Sequence, residues 1–292
     1  MLKQLTCMLS FLSLGSLYKI ADWLIFPLLF YVFRYRRKVV RRNISIAFPE
    51  YTTEQVKQLE NRSYRQLCSV IAEAVYGWRA GREKIEERVI FDSTLKDIMS
   101  EFDEHQMAIV QLSHIGCWEW FSNVAFRFRE IGVKMLVVYR PPRNRQTDSF
   151  LCELREKRGC EVVRERQVLR RLYSARQNGE KVLLAMLSDQ RPAPKTGRVM
   201  VDFFGKQVAF INGSEVLAKK FGCSVYSLSI KQLERGRYAV SVPKLADANE
   251  TGDAVVQRYA TVVQRYATVV EENIRLQPHL WLWTHNRFRD NS

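Results

Sequence analysis

Residues 107–119 read MAIVQLSHIGCWE. The first six, 107–112, are an apolar run of strand length without a charge. Ser113, His114 and Gly116 end it, and a helix-like pattern takes over at 117 and runs to 131. A short apolar strand that closes on a histidine and a glycine and hands over to a helix is the repeating unit of a layered α/β domain. Domains of that kind place ligands just beyond the C-terminal ends of their strands.

Working outward, the same alternation recurs. Strand-length apolar runs appear at 134–139 (KMLVVY), 181–187 (KVLLAML) and 223–230 (CSVYSLSI), and 237–243 (RYAVSVP) alternates as an edge strand would. Helical patterns fill 146–158, 166–178 and 212–221. A longer helix is predicted from Thr52 or Thr53, acting as N-cap, to about Trp78, preceded by a connector at 43–50 (NISIAFPE). The fold expected is α/β: a central mixed sheet flanked by helices over 43–292, with residues 1–42 as a separate N-terminal anchor and basic flank. The heptad VVQRYAT occurs at 255–261 and again at 262–268. Seven residues are nearly two helical turns, so the duplication keeps one face inward and lengthens a surface helix by about 10 Å.

With 292 residues, 47% hydrophobic and 26% charged, the chain has the balance of a folded protein with one sizeable core or two smaller ones. Its 46 Lys+Arg against 31 Asp+Glu leave a net charge of +15. Such a field favours phosphorylated lipid surfaces, nucleic acid or an acidic carrier protein, and composition does not choose among them. The six cysteines, at 7, 68, 117, 152, 160 and 223, form no CxxC and no metal spacing. Reduced, mostly buried thiols in a cytosol-facing protein are expected. No P-loop, GxGxxG or zinc spacing is present, so neither cofactor nor metal is expected.

Residues 5–33 are dominated by Leu, Phe, Ile, Val, Tyr and Trp, interrupted by Lys19 and Asp22, which stand three apart and could pair on a helix. Arg34, Arg36, Arg37, Lys38, Arg41 and Arg42 follow at once. Charge after the apolar run is the reverse of a cleavable leader and fits an uncleaved anchor with a cytoplasmic C-terminal flank. The uncharged runs, 4–18 and 23–33, are each short of the ~20 residues of a span, and Pro27 disfavours one straight helix. A tilted span, a pair of interfacial helices resting their arginines on anionic lipid, and a buried core helix all remain open.

His114 and Glu119 carry the chemistry. An imidazole can take a proton from a hydroxyl near neutral pH, and a carboxylate one helical turn on could accept its other N–H. Such a pair suits acyl transfer to an external hydroxyl. Four histidines and 31 acidic residues make one such spacing unsurprising, and the plain alternative is a hydrogen-bonded core histidine.

The motif and its surroundings resemble the bacterial lipid A late acyltransferases, the lauroyl and myristoyl transferases of the wider lysophospholipid-acyltransferase-like superfamily. That family carries H-[LFI]-G-N-W-E; this chain reads HIGCWE, with Cys117 where Asn is usual. Further blocks match in the same order: RRNISIAFPEYTTEQ (41–55), VVYRPPRN (137–144), LLAMLSDQRP (183–192), VDFFGKQVAFINGSEVLAKKFG (201–222) and PHLWLWTHNRF (278–288). The resemblance covers the chain past residue 30.

It implies an O-acyltransferase that moves a fatty acyl chain from acyl carrier protein, or acyl-CoA, to a membrane glycolipid, foremost a lipid A precursor. It places the protein at the inner membrane with its catalytic domain on the cytoplasmic side, without a covalent enzyme intermediate. His114 becomes the general base and Glu119 its orienting partner. Arg140 would clamp a phosphate or the developing oxyanion, the alternative being a solvated surface arginine. Asn144 matches the family Asn or simply caps the next helix. Asp189 would hold Arg140 or a sugar hydroxyl, or serve as a turn residue, beside Arg191 in the same substrate-binding block. Gly213 would let backbone approach a ligand, or only start a helix. Trp281, Trp283 and His285 fit a core or an interfacial aromatic belt. Two other readings stand beside this one: the same chemistry on a mannosylated phosphoinositide or a hydroxyacyl aminolipid, and a non-catalytic basic protein binding membrane or nucleic acid. The last predicts no dependence on His114, and the basic residues are not gathered in a nucleic-acid motif.

Overall fold

The structure, a computed structural model, describes residues 2–141, 144–193, 196–248 and 255–288, with the side chains of 2–3 and 255–261 left aside. The described strands are β1 (Val89–Phe91), β2 (Met107–Leu112), β3 (Val133–Tyr139), β4 (Glu161–Arg164), β5 (Lys181–Leu187), β6 (Arg198–Phe203), β7 (Lys206–Ile211), β8 (Ser224–Ser227), β9 (Ser229–Glu234), β10 (Arg237–Ser241) and β11 (Lys244–Ala246). Six of them form the central sheet in the order β11-β8-β2-β5-β3-β4, parallel apart from the antiparallel edge strand β11. The fold is therefore mixed α/β. All six residues of β2 are buried, as expected of a central parallel strand covered on both faces. The chain leaves β2 toward β3 on one side and later reaches β8 on the other, and a crevice opens at the strand ends where such a change of direction occurs.

Two smaller sheets complete the architecture. The hairpin β6–β7 turns on Phe204 and Gly205, both at positive φ. Phe204 is held in that conformation because its N–H donates to Glu271 Oε2 at 2.6 Å and its ring packs on Phe48 and under Arg275. The third sheet runs β1-β10-β9, so β10 is its middle strand and not an edge. The predicted strand 223–230 is likewise corrected: it is two strands in two sheets, crossing at Leu228, whose N–H donates to Gln111.

The chain opens with the helices α1 (Leu2–Leu9), α2 (Leu14–Val32), α3 (Arg37–Ala47) and α4 (Thr53–Gly77). Thr52 caps α4 in a full capping box with Gln55. The expected connector 43–50 is mostly helix: α3 buries Val40, Asn43, Ile44 and Ala47, one helical face, so the division at 42/43 falls inside this helix. Helix α2 widens into π turns at Ala21–Ile25 and Leu28–Val32, which flank Pro27 and absorb the donor it lacks. One face of α2, with Leu14, Leu17, Ala21, Phe26 and Phe30, joins the same contiguous core as the sheet. The opposite face leaves Trp23 84% and Phe33 68% exposed. Asp22 pairs with Arg235 at 2.7 Å rather than with Lys19.

The basic flank is also partly turned inward. Arg37 and Arg41 both hold the buried carboxylate of Glu60 at 2.8 and 2.9 Å, while Arg34 and Lys38 stay exposed. The tandem heptads lie within one helix, Val255–Leu276, and the second copy buries Val262, Val263, Tyr266 and Ala267 against the core. Four of the six cysteines are buried.

Candidate active site

Leu112 and Leu187 are cross-strand partners at the ends of β2 and β5. Two residues further along each strand come His114 and Asp189, which therefore emerge side by side. His114 Nδ1 lies 2.7 Å from Asp189 Oδ1, and the His114 backbone N–H donates to Oδ2 at 2.9 Å. Trp281 Nε1 donates to Oδ2 as well, at 2.8 Å. Asp189 is 1% exposed. Burial alone would raise its pKa, but the facing imidazole and these hydrogen bonds outweigh that and hold it down at about 2. An ionised carboxylate only accepts, so Nδ1 carries the hydrogen, and in the neutral imidazole Nε2 is then the acceptor. The Gln190 amide meets that Nε2 at 3.1 Å, and the Trp118 ring stands edge-on to the imidazole at 5.0 Å.

Glu119 is bonded to other groups than this histidine. Its oxygens accept from Arg155 Nη2 at 2.6 Å and Nε at 2.9 Å, and from Trp118 Nε1 at 3.1 Å. The reason is local: His114 precedes the helix, and Gly116 at φ +58° turns the chain before Trp118–Phe121 begins. One helical turn of spacing brings two side chains together only when both are on the helix. Gly116 is required there, since a Cβ would lie 2.7 Å from the Tyr238 ring. The Glu119–Arg155 pair is buried on both sides, at 5% and 9% side-chain exposure.

A cleft of about 640 Å³ opens at the strand ends. His114, Arg140, Arg155, Gln190, Arg191 and Gly213 line it, together with apolar Val138, Leu151, Val168, Met186, Val216 and Leu217. The cleft thus gathers His114, Arg140, Arg191 and Gly213 from four separate stretches of chain. Asp189 stands behind His114, and Glu119 reaches the cleft through Arg155. The Arg140 fork is engaged by Glu165 at 2.7–3.0 Å and by Thr196 at 3.0 Å, not by Asp189. Asn144 caps the helix Arg145–Glu156, accepting from Gln146 and Thr147 N–H, and so positions Arg155 eleven residues on. Gly213 begins the helix Gly213–Phe221 at the rim, where a Cβ would touch Met186 at 3.4 Å.

The C-terminal segment braces the site. Leu282 N–H donates to the His114 carbonyl and Gly116 N–H to Leu280, and Asn43 of α3 donates to the carbonyls of Trp283 and His285. His285 Nε2 accepts from the Arg191 backbone at 2.9 Å. Burial, with neighbouring cations, pushes the His285 pKa down to about 4, so it is neutral and fit to accept. Gln190, Arg155 and the bond from Trp281 to Asp189 escaped the sequence reading. Gln190 was adjacent to a chosen residue, whereas nothing in the spacing pointed to Arg155. Among the described residues, no group of His, Cys, Asp and Glu is arranged to hold a metal ion.

A sequence model of the bacterial lipid A biosynthesis acyltransferases matches residues 17–290. The lipid A biosynthesis palmitoleoyltransferase of Escherichia coli (strain K12) is 21% identical over 258 residues, covering 87% of this chain and 79% of that protein. A lipid A biosynthesis acyltransferase of Shigella flexneri matches with the same identity and coverage.

Proposed function

The chain belongs to the bacterial lipid A biosynthesis acyltransferase family and is an acyltransferase; on that premise we propose that His114 is the base which delivers a hydroxyl of a lipid A precursor to an acyl thioester. The single observation that carries this reading is the 2.7 Å bond from His114 to Asp189, with the other ring nitrogen left for the cleft. Nε2 takes the acceptor's proton as the hydroxyl oxygen attacks the thioester carbonyl. Asp189 holds the tautomer and opposes the imidazolium charge. The tetrahedral adduct then expels the thiolate, which recovers the proton from His114. The Gln190 amide occupies Nε2 at rest and gives way to the acceptor hydroxyl. Glu119 acts at one remove, holding Arg155 in the cleft wall.

The donor is acyl carrier protein or acyl-CoA. Both are acidic, and Arg140, Arg164 and Arg166 outnumber Glu165 in the lining of an adjoining cleft of about 790 Å³ that shares Arg140, Glu165 and Thr196 with the catalytic one. The apolar wall suits the acyl chain. Both donors are cytosolic, which puts the catalytic domain on the cytoplasmic side. The exposed face of α2 lies in the headgroup region, because its other face is packed on α4 and its Asp22 is bonded to Arg235.

Transfer of labelled acyl groups to a lipid A precursor, comparing the wild type with His114→Ala, tests this. Loss of the base should slow transfer about 10²–10⁴-fold. Undiminished transfer by the variant would remove His114 from the mechanism, and inactivity of the wild type with either donor would remove the acceptor.

A further inference from the structure

Glu73 of α4 is a buried carboxylate that the acyl-transfer chemistry leaves unused. Its Oε1 accepts from Tyr18 Oη of α2 at 2.7 Å, and its Oε2 accepts from Tyr238 Oη of β10 at 2.9 Å. The Cys117 thiol faces the same carboxylate, and the Glu73 backbone carbonyl accepts from Trp120 Nε1 at 2.9 Å. Arg235, the cation that acts on it, is held by Asp22 at 2.7 and 2.8 Å. Three other stretches of chain therefore meet at Glu73: α2, β10 and the segment that follows His114. Burying a carboxylate with phenols for donors costs stability. A satisfied polar network of this kind rigidifies what it joins.

The Tyr238 ring lies so close to Gly116 that a Cβ there would sit 2.7 Å from it. The same ring meets Trp120 and Phe121 edge-on at 6.4 and 6.1 Å. Asp189 fixes the His114 ring, and bonds with Leu280 and Leu282 fix the backbone beside it. Tyr238 packs where that loop has no side chain of its own. Tyr18 is equally constrained: the Arg235 guanidinium lies 4.0 Å from its ring centroid, and its hydroxyl fills the place that a Cβ on Gly236 would take. Tyr18, Glu73 and Tyr238 all stand outside the lining of the catalytic cleft.

We infer that Tyr18, Glu73 and Tyr238 are positioning residues, a clasp that holds the Gly116–Trp120 segment, and with it His114, in the geometry of the reaction. The clasp makes α2 part of the catalytic unit, since one of its residues reaches the carboxylate on which the loop is braced. The inference rests on the proposed acyl-transfer reading for the reaction that His114 performs. The hold on the loop does not depend on that reading.

The test compares Tyr18→Phe and Tyr238→Phe with Tyr226→Phe, each in the full chain in neutral detergent micelles. Every one of these removes a hydroxyl and keeps the ring. Tyr226 of β8 is the control: it is as buried as Tyr238 and donates to a different buried carboxylate, Glu101, at 2.6 Å. Thermal unfolding measures the stability that each variant loses. Hydrogen exchange read by mass spectrometry measures protection of residues 113–121, where the Gly116 N–H is bonded to Leu280. Acyl transfer to a lipid A precursor gives kcat and KM separately. Tyr18→Phe and Tyr238→Phe should speed exchange of that segment about tenfold. They should also lower kcat about tenfold at an unchanged KM, because small misplacements of a reacting group are costly and the substrate contacts are intact. Tyr226→Phe should lower the melting temperature as much while keeping exchange of 113–121 and kcat at the wild-type level. If Tyr238→Phe does not fold, Tyr18→Phe, at a half-buried residue, decides the matter. Exchange and kcat that merely follow the melting temperature in all three variants would overturn the inference. So would wild-type exchange of 113–121 in Tyr18→Phe and Tyr238→Phe. A response to Tyr238→Phe alone would remove α2 from the catalytic unit. A loosened loop in a protein whose wild type transfers no acyl group would leave the clasp standing and sink the acyl-transfer reading instead.

Discussion

His114 and Asp189 each stand two residues beyond a paired strand end, because Leu112 and Leu187 are partners in the parallel β2–β5 register. A slip of one residue in that register would send one of the two side chains to the opposite face. The pairing of imidazole and carboxylate is therefore a consequence of strand order, in which β5 inserts between β2 and β3. Seventy-five residues separate the two groups in sequence and 2.7 Å in space.

The Glu119–Arg155 pair is buried on both sides, so its removal should be felt as stability. Glu119→Gln leaves the Arg155 charge buried without its partner, a loss of about 3–5 kcal/mol. Replacing both residues, Glu119→Gln with Arg155→Met, should recover most of that stability. Chemical unfolding in detergent measures both variants. A single substitution as stable as the wild type would show that the pair carries no such load.

Gly116 should not tolerate a side chain. Its φ of +58° disfavours any L residue, and an added Cβ would meet the buried Tyr238 ring at 2.7 Å. Gly116→Ala should cost about 1–3 kcal/mol from overpacking alone, with the backbone strain in addition. The imidazole two residues away would shift with the loop, so activity should fall together with the melting temperature. A fully active, fully stable alanine variant would contradict this.

Much of the scaffold was legible. The apolar runs at 107–112 and 181–187 are β2 and β5 to the residue, and Thr52, one of the two N-cap candidates, caps α4. These features are local: a run of apolar residues or a hydroxyl before a helix needs no knowledge of the rest of the chain. The break at Leu228 was not legible, because a strand that passes from one sheet to another keeps its apolar character throughout. Helix α3 was hidden because its inward face includes Asn43, which is polar yet bonded to the carbonyls of Trp283 and His285. The site divides in the same way. His114 was singled out by its place at a strand end, and Arg140, Arg191 and Gly213 by the family resemblance. The partners of His114 and Glu119 were not legible, since spacing along a chain says nothing of which loops a parallel sheet brings together.

Glu73 should make stability depend on pH. It is fully buried, and burial raises its pKa to about 7 despite hydrogen bonds from Tyr18 and Tyr238. An unfolded chain would release this proton near the ordinary 4.5. Between those values the folded state holds a proton that the unfolded state has lost, so stability falls as pH rises from 4.5 through 7 and then levels off. The loss is about 3 kcal/mol at 1.36 kcal/mol per unit. Glu73→Gln should abolish this component, making the variant the more stable of the two at pH ~8. Parallel pH curves for the two proteins would contradict the assignment.

The outer face of α2 should govern attachment to lipid. Trp23 and Phe33 are 84% and 68% exposed, and Trp23 leads an exposed apolar surface that includes Leu24, Tyr31 and Val32. Burying one large apolar side chain is worth about 1.5–3 kcal/mol. Trp23→Ser with Phe33→Ser should therefore weaken binding to anionic vesicles by at least ~10²-fold, with the fold unchanged. Vesicle binding unaffected by both substitutions would detach α2 from this role.

The most direct measurement is the rate of acyl transfer at saturating substrate for two isosteric variants, Asp189→Asn and Glu119→Gln, side by side at a pH where both are folded. If Asp189 orients the base, Asp189→Asn should lower kcat about 10²–10⁴-fold, because an amide can donate to Nδ1 and select the wrong tautomer. Glu119→Gln should lose far less per folded molecule. The reverse order, with Asp189→Asn close to the wild type and Glu119→Gln inactive, would contradict the His114–Asp189 pair and return the orienting role to Glu119.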